Sequence, residues 1–151
     1  MKRSLFFAWI SAVALAMWPV GPMAAAPRCY PTSRFVVLPD GLVRDTLTKL
    51  VWQQQASATT MTWADAKSYC SAAGSGFRLP TVKELESIVD ATVAPPGPTI
   101  DPIAFPNTPA EVFWTSSPYA GSSAFAWNLV FFNGNSSYND VDHDNRVRCV
   151  R

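Results

Sequence analysis

The N-terminal segment of the sequence decides which residues are left to fold and in which redox environment they fold. Lys2 and Arg3 are followed by an apolar run from Leu5 to Trp18, and then by prolines and Ala24–Ala26. A charged start, an apolar stretch and a small-residue end are typical of a secretory signal peptide. A membrane-spanning helix needs about 20 apolar residues, more than this run provides. We therefore predict an exported protein with a signal peptide at 1–26, an N-terminal lead at 27–33 and one domain at 34–151.

The charge balance of the remaining chain argues against one class of partner. Removing Lys2 and Arg3 from 12 basic residues leaves 10, against 11 acidic residues. A nearly neutral domain lacks the basic surface with which proteins bind nucleic acid or anionic membranes. We expect neither partner.

Three cysteines, Cys29, Cys70 and Cys149, remain after cleavage. In an oxidising compartment an odd number implies one pair and one cysteine left over. Cys29 follows Arg28, whereas a lipid-attachment site has a small residue before the cysteine. We expect Cys29 to be a free thiol or to form a disulfide with another chain.

Short β-rich runs open the domain. Arg34–Val37 is followed by an Asp40-Gly41 turn, and the runs Leu42–Arg44 and Leu50–Trp52 flank five residues, 45–49. This arrangement predicts a strand followed by a β-hairpin.

Two short helices are predicted by their capping residues. Thr62, with Asp65 three residues later, begins the first, and Thr81, with Glu84 three residues later, begins the second. Gly74–Gly76 ends the first helix. Apolar residues at helical spacing predict one buried stripe in each: Trp63, Ala66, Cys70 and Ala73 in the first, and Val82, Leu85, Ile88 and Val89 in the second.

Six prolines between residues 91 and 111 exclude a helix or a central strand there. Ile100, Ile103 and Phe105 are available to anchor this segment, so we predict an ordered long loop.

The remaining sequence is predicted to be β-structure. Val112–Ser116 and Ala124–Phe132 are predicted strands, and the second is apolar on both faces, which is typical of a central strand. Asn133-Gly134 is a strong hairpin signal, and residues 147–150 are assigned to a last strand.

Six short sequence motifs, in order along the chain, resemble the motifs of one protein family. The most distinctive is Phe77–Thr81 followed by Glu84-Leu85. Together with the other five they resemble the Lcl C-terminal domain of bacterial collagen-like adhesins, over nearly all of residues 34–151. The other five are Asp45-x-x-Thr48-x-Leu50-x-Trp52, Thr62-Trp63-Ala64 with Tyr69-Cys70, Phe113–Ser117, Ala126-Trp127 and Val147–Arg151.

The resemblance implies an α+β, C-type-lectin-like fold with two short helices, a small, mostly antiparallel twisted sheet and a long Pro-rich loop between. In that fold a disulfide ties the first helix to the last strand, and Cys70 and Cys149 occupy those places. Some relatives are adhesins that bind glycosaminoglycan-like polymers, and others are hypervariable receptors. Formylglycine-generating relatives hold copper with a cysteine pair. Because the plausible pair here is structural, the resemblance implies neither catalysis nor a cofactor.

Residues 133–145 are the strongest candidate for a ligand-binding segment. Twelve of these thirteen residues are polar, Gly or Tyr. Such side chains provide donors, acceptors and a stacking ring at low entropic cost. The alternative, a solvated hairpin that binds nothing, stays open. The candidate contact residues are Asn133, Asn135, Tyr138, Asn139, Asp142, His143 and Asn145.

Other chemistries are less well supported. Asp140, Asp142 and Asp144 alternate, but an EF-hand loop would need Gly and Glu at positions 145 and 151, so we predict no metal. His143, the only histidine, has no evident nucleophile to activate. The domain's tryptophans are expected in the core rather than on a sugar-stacking surface: Trp52, Trp63, Trp114 and Trp127.

Arg78 and Arg148 lie within apolar motifs. Because buried cations are usually paired, we expect their partners among Asp45, Glu84 and Asp90.

The sequence thus predicts a non-catalytic binding module for an extracellular carbohydrate or protein. Two alternatives stay open: an enzyme or enzyme remnant of the formylglycine-generating branch, and a structural envelope component.

Overall fold

The computed structural model describes residues 34–151, so the predicted signal peptide, the lead and Cys29 lie outside the described residues. Two helices and antiparallel β-structure confirm the predicted α+β class, with the six strands divided between two three-stranded sheets. Within 34–151 no helix is both long and apolar enough to cross a membrane. The elements are β1 (Phe35–Leu38), β2 (Leu42–Asp45), β3 (Val51–Gln53), α1 (Trp63–Ala72), α2 (Val82–Ser87), β4 (Val112–Pro118), β5 (Phe125–Val130) and β6 (Asn135–Asp140).

The first sheet has the order β1-β2-β3. The predicted hairpin is confirmed, with Val43 opposite Trp52 and a connection over residues 46–50. Arg34 donates two hydrogen bonds to the Asp45 carboxylate, at 3.0 and 2.6 Å. Burial by itself would raise the pKa of Asp45, but hydrogen bonds from Arg34, the Leu47 N–H and Thr48 hold it below its ordinary value.

Helix α1 begins where its capping residue predicts. The Thr62 hydroxyl accepts the Asp65 N–H, and Ala66 and Cys70 are buried. Trp63 is half-buried, and Ala73 is exposed. The prediction for Ala73 is wrong because the helix ends at Ala72 and Ala73 already belongs to its C-terminal cap.

Helix α2 has the complete capping box that its sequence predicts, with Thr81 and Glu84 bonded reciprocally. Arg78 also donates to both oxygens of Glu84, at 2.8 and 2.6 Å, which confirms the predicted partner. The Arg78 hydrogen bonds, reinforced by those from Thr81, lower the pKa of Glu84 to about 2 against the opposing effect of burial. The turn that leads from Arg78 into α2 is therefore fixed by one carboxylate.

The loop over residues 91–111 has neither helix nor strand, as its prolines predict. Ile100 and Phe105 are buried and anchor it, but Ile103 is 73% exposed, so its predicted anchoring role is wrong. The Asp101 carboxylate accepts the Ile103 and Ala104 N–H groups, and this turn directs Ala104 inward and Ile103 outward.

The helices cover opposite faces of the second sheet, whose order is β4-β5-β6. On one face, α2 residues Leu85 and Ile88 pack in a cluster with Phe113 and Leu129. On the other face, α1 residues Ala66 and Cys70 pack in a cluster with Trp114 and Ala126.

Residues 145–151, the terminal segment, join the two sheets. They make isolated bridges instead of the predicted continuous strand, because their backbone bonds alternate between different neighbours. Val51 and Arg151 exchange two hydrogen bonds on the outer edge of β3, and Trp114 donates to the Arg146 carbonyl at the edge of β4. The Cys70–Cys149 disulfide, as the resemblance implies, ties α1 to this segment.

Arg148, in the terminal segment, has no carboxylate partner among the described residues, so that prediction is wrong. Its side chain is fully buried and donates to the Gln53 and Gln54 carbonyls and to the Thr108 hydroxyl at 2.6 Å. The guanidinium also lies over the Phe105 ring, 4.8 Å from its centroid. Carbonyl oxygens and an aromatic face, instead of a carboxylate, hold this cation.

Candidate functional site

The candidate site is built on the hairpin that joins β5 to β6. The two strands pair without a register shift, which places Trp127 opposite Tyr138 and Phe125 opposite Asp140. Because side chains alternate along a strand, these four residues share one face of the sheet. Helix α2 covers only the part of this face around Leu129, where the Ser136 hydroxyl donates to Glu86.

An aromatic cluster occupies the part of this face that α2 leaves uncovered. Tyr119 stacks on Tyr138 with ring centroids 4.4 Å apart and an interplanar angle of 21°. Trp127 meets both tyrosines edge-on, at 5.7 and 6.0 Å, and Phe125 meets Tyr138 at 5.8 Å. Tyr138 is 46% exposed, and the other three rings are half-buried. We call Tyr119, Phe125, Trp127 and Tyr138 the aromatic cluster.

The structure divides the predicted polar segment into three parts. Asn133 lies in the turn before β6, where its side chain accepts the Asn135 N–H. Residues 135–140 form β6 itself, so the segment is not one outward loop. Asp142 and His143 lie in the exposed turn after β6.

The candidate residues on β6 lie on two different faces. Tyr138 belongs to the aromatic cluster, whereas Asn135 and Asn139 point to the opposite face. Asn139 donates to the Asn145 side chain at 3.4 Å, and Asn145 is buried beside Met61. The arrangement therefore brings Tyr138 together with three other rings and leaves Asn139 and Asn145 out of that group.

A second polar group lies on the face of β5 and β6 away from the aromatic cluster. Asn128 is fully buried, and neither its amide oxygen nor its amide nitrogen has a hydrogen-bond partner among the described residues. The amide nitrogen of Asn145 is also unpartnered. A buried polar group of this kind costs about 1–3 kcal/mol unless water satisfies it.

Three residues of the aromatic cluster, Tyr119, Phe125 and Trp127, were not predicted as contact residues. Phe125 could have been found, because it alternates with Trp127 along β5. Tyr119 could not, because it lies in an irregular turn and only the fold brings it to β6. Of the four tryptophans, Trp52 and Trp114 are buried as predicted, whereas Trp63 and Trp127 are half-buried at the surface.

The acidic residues around β6 do not form a metal centre. Within residues 34–151 no three His, Cys, Asp or Glu side chains come close enough to hold a metal ion. The Asp140 carboxylate instead accepts the Asp142 N–H at 3.0 Å and closes the turn.

A separate crevice of about 440 Å³ lies between residues 55–58 and 107–109, with Arg146 in its wall. Arg146 donates to Glu111 at 2.7 Å and to the Ala58 carbonyl at 2.6 Å, so its charge is already engaged. The crevice shares no residue with the aromatic cluster.

Comparisons with known proteins identify one family and two similar folds. The family model described as Lcl C-terminal domain matches residues 41–151. The solved structure of botrocetin is 11% identical, with a TM-score of 0.44 over 68% of this chain and 89% of that chain. The structure of rhodocetin is also 11% identical, with a TM-score of 0.42 over 81% and 97%. Both have C-type-lectin-like folds. No curated protein matches the chain significantly.

Proposed function

The chain belongs to the Lcl C-terminal domain family, and from this premise we propose that it is an exported, non-catalytic module that binds an extracellular carbohydrate or protein. The binding surface is the aromatic cluster together with the exposed polar residues of the 133–145 segment. The observation that carries this proposal is the uncovered aromatic cluster on an otherwise helix-covered sheet.

Exposure of these rings is the first support. Four aromatic side chains that meet on a surface retain apolar area in water, and such patches mark interaction sites more often than single exposed residues do. Tyr and Trp combine a large contact area with few rotatable bonds, so a ligand immobilises them at little entropic cost. Stacking on a sugar ring or on a protein side chain uses the same surface.

The state of the cysteines argues against the enzymatic alternative. Cys70 and Cys149 are fully buried and bonded to each other. A disulfide cannot supply the thiolate pair that holds copper in formylglycine-generating relatives. We therefore assign the Cys70–Cys149 disulfide a structural role, the stabilisation of the fold.

Binding to arrays of glycans and of extracellular protein fragments tests the proposal, with the oxidised full chain as the probe. The informative variant is Tyr138→Ala, and its matched control is Tyr69→Ala, since Tyr69 lies on α1 and is 40% exposed. We expect saturable binding that Tyr138→Ala weakens about threefold or more, as loss of one aromatic contact implies, and that Tyr69→Ala leaves unchanged.

Three results would contradict the proposal. Equal losses in both variants would place the ligand elsewhere. Absence of any saturable ligand would favour a structural envelope component. Oxidase activity that disappears in a Cys70→Ser variant would favour the enzymatic alternative.

A further inference from the structure

We propose that β6 binds an extended, positively charged peptide as an added strand, with a Lys or Arg side chain of the peptide between Tyr138 and Asp140. This inference rests on the proposed function and specifies the ligand class for the same surface. It is carried by the open backbone edge of β6, the exposed ring of Tyr138 and the position of the Asp140 carboxylate.

The backbone edge of β6 is open. Val141 donates its N–H to the Ala124 carbonyl, so by antiparallel alternation residues 135, 137 and 139 bond to β5. The backbone groups of Ser136 and Tyr138 then point away from the sheet, and no other part of residues 34–151 bonds to them. By contrast, the terminal segment occupies the outer edges of β3 and β4.

Three of the usual protections of an exposed edge are absent from β6, although the strand carries one charged side chain, Asp140. Natural edge strands carry lysine, proline or a bulge that prevents another strand from pairing. The sequence Asn-Ser-Ser-Tyr-Asn-Asp of β6 has neither residue, and its register with β5 is continuous over six pairs. An edge of this kind can pair with an extended chain through its backbone, the mode by which sheet-edge binding domains hold peptides.

The side chains beside this edge specify the charge of the partner. Tyr138 and Asp140 are two residues apart and therefore point to the same face, with Phe125 opposite Asp140. Within residues 34–151 no lysine or arginine pairs with the Asp140 carboxylate. A cation over an aromatic face gains about 0.5–1 kcal/mol at an exposed site, and the adjacent carboxylate adds a hydrogen-bond acceptor for it.

A peptide strand fits this edge because its side chains and its backbone hydrogen-bonding groups both alternate every two residues, as those of β6 do. In an added strand every second side chain lies on the Tyr138 face, about 5 Å from its cross-strand neighbour. A basic residue at such a position reaches the ring and the carboxylate, while its own backbone bonds to Ser136 or Tyr138. A polyanion would instead meet Asp140 and the acidic turn after it.

Fluorescence anisotropy with three labelled peptides and the full chain tests the inference. The first peptide consists of four Thr-Arg repeats. The second has glutamine in place of each arginine, and the third keeps the arginines but carries N-methyl groups on alternate backbone nitrogens. We expect the first to bind saturably, and the other two to bind about tenfold or more weakly.

Variants of the chain locate the contact. We expect Asp140→Asn and Tyr138→Ala each to weaken the first peptide about threefold to fivefold, the factor that corresponds to loss of one exposed cation contact. Asp40→Asn, in the exposed turn before β2, is the matched control and is expected to have no effect.

Each contrary result would contradict one claim of the proposal. Equal binding of the N-methylated peptide excludes strand addition, and equal binding of the glutamine peptide excludes the cation. Concentration-dependent dimers that Tyr138→Ala abolishes would make a second copy the occupant of β6. If the peptides fail while the arrays show Tyr138-dependent binding, the proposed function stands and this inference falls; if both fail, neither stands.

Discussion

Tyr119 stacks on Tyr138 although the first residue lies in the turn before β5 and the second lies on β6. The contact fixes the orientation of the most exposed ring of the aromatic cluster. Tyr119 also meets Trp127 edge-on, so a single residue from an irregular turn supports two rings of the proposed binding surface.

Removal of the Tyr119 ring is expected to weaken ligand binding without unfolding the domain. Tyr119→Ala leaves Tyr138 free to adopt other rotamers, and we expect a loss of affinity of about threefold to tenfold, in line with the worth of one aromatic pair. Tyr119→Phe keeps the stack and should bind as the wild type does. Titration with the array-identified ligand measures both; a weakened Phe variant would show that the hydroxyl, not the stack, matters.

The Cys70–Cys149 disulfide is expected to provide a large share of the stability. It joins residues 79 apart in sequence, and the chain-entropy model gives a loop of that size about 4 kcal/mol. We expect the double variant Cys70→Ala/Cys149→Ala to unfold at a much lower urea concentration. Mass spectrometry after alkylation checks the premise, because two free thiols in the wild-type protein would remove it.

Replacement of Arg148 by methionine is expected to destabilise the domain by about 3 kcal/mol. The substitution keeps much of the apolar contact with Phe105 but leaves the carbonyls of Gln53 and Gln54 without donors in a buried place. Urea unfolding measures the loss, and Arg44→Met on the exposed side of β2 is the control. Equal midpoints for the two variants would contradict the role assigned to Arg148.

Acid is expected to weaken the junction before α2. The pKa of Glu84 is lowered to about 2 in the folded protein, chiefly by hydrogen bonds from Arg78, whereas its ordinary value is 4.5. A lowered folded-state pKa contributes stability above pH 4.5, and that contribution is lost as the pH falls from 4.5 towards 2. We expect Glu84→Gln to be less stable than wild type at pH 7 and to lose less stability across that interval. Parallel dependence of both proteins on pH would contradict this.

Local signals in the sequence predicted most of the elements. Thr62 and Thr81 start the helices because a hydroxyl cap satisfies backbone N–H groups within a few residues. Asn133-Gly134 marks the place of the second hairpin, but β5 ends at Val130 and not at the predicted Phe132, so the connection has the four residues 131–134. The pairing of Cys70 with Cys149 came from the family resemblance. Such features depend little on distant parts of the chain.

Features that depend on distant contacts were missed. Arg148 was expected to meet a carboxylate, but the carbonyls that bind it belong to residues that are far away in sequence. The last strand was predicted from its apolar residues, yet its neighbours change from one residue to the next. Tyr119 lies in a turn without periodicity, so no sequence pattern predicted its contact with Tyr138.

The terminal segment has a consequence for the time course of biosynthesis. Because a ribosome delivers residues 145–151 after both sheets and both helices have been made, the outer edges of β3 and β4 stay vacant and Cys70 lacks its partner until then. A nascent chain therefore cannot complete its core early. Under the export proposed above, the chain would still be open during translocation, and its final closure would follow where thiols are oxidised.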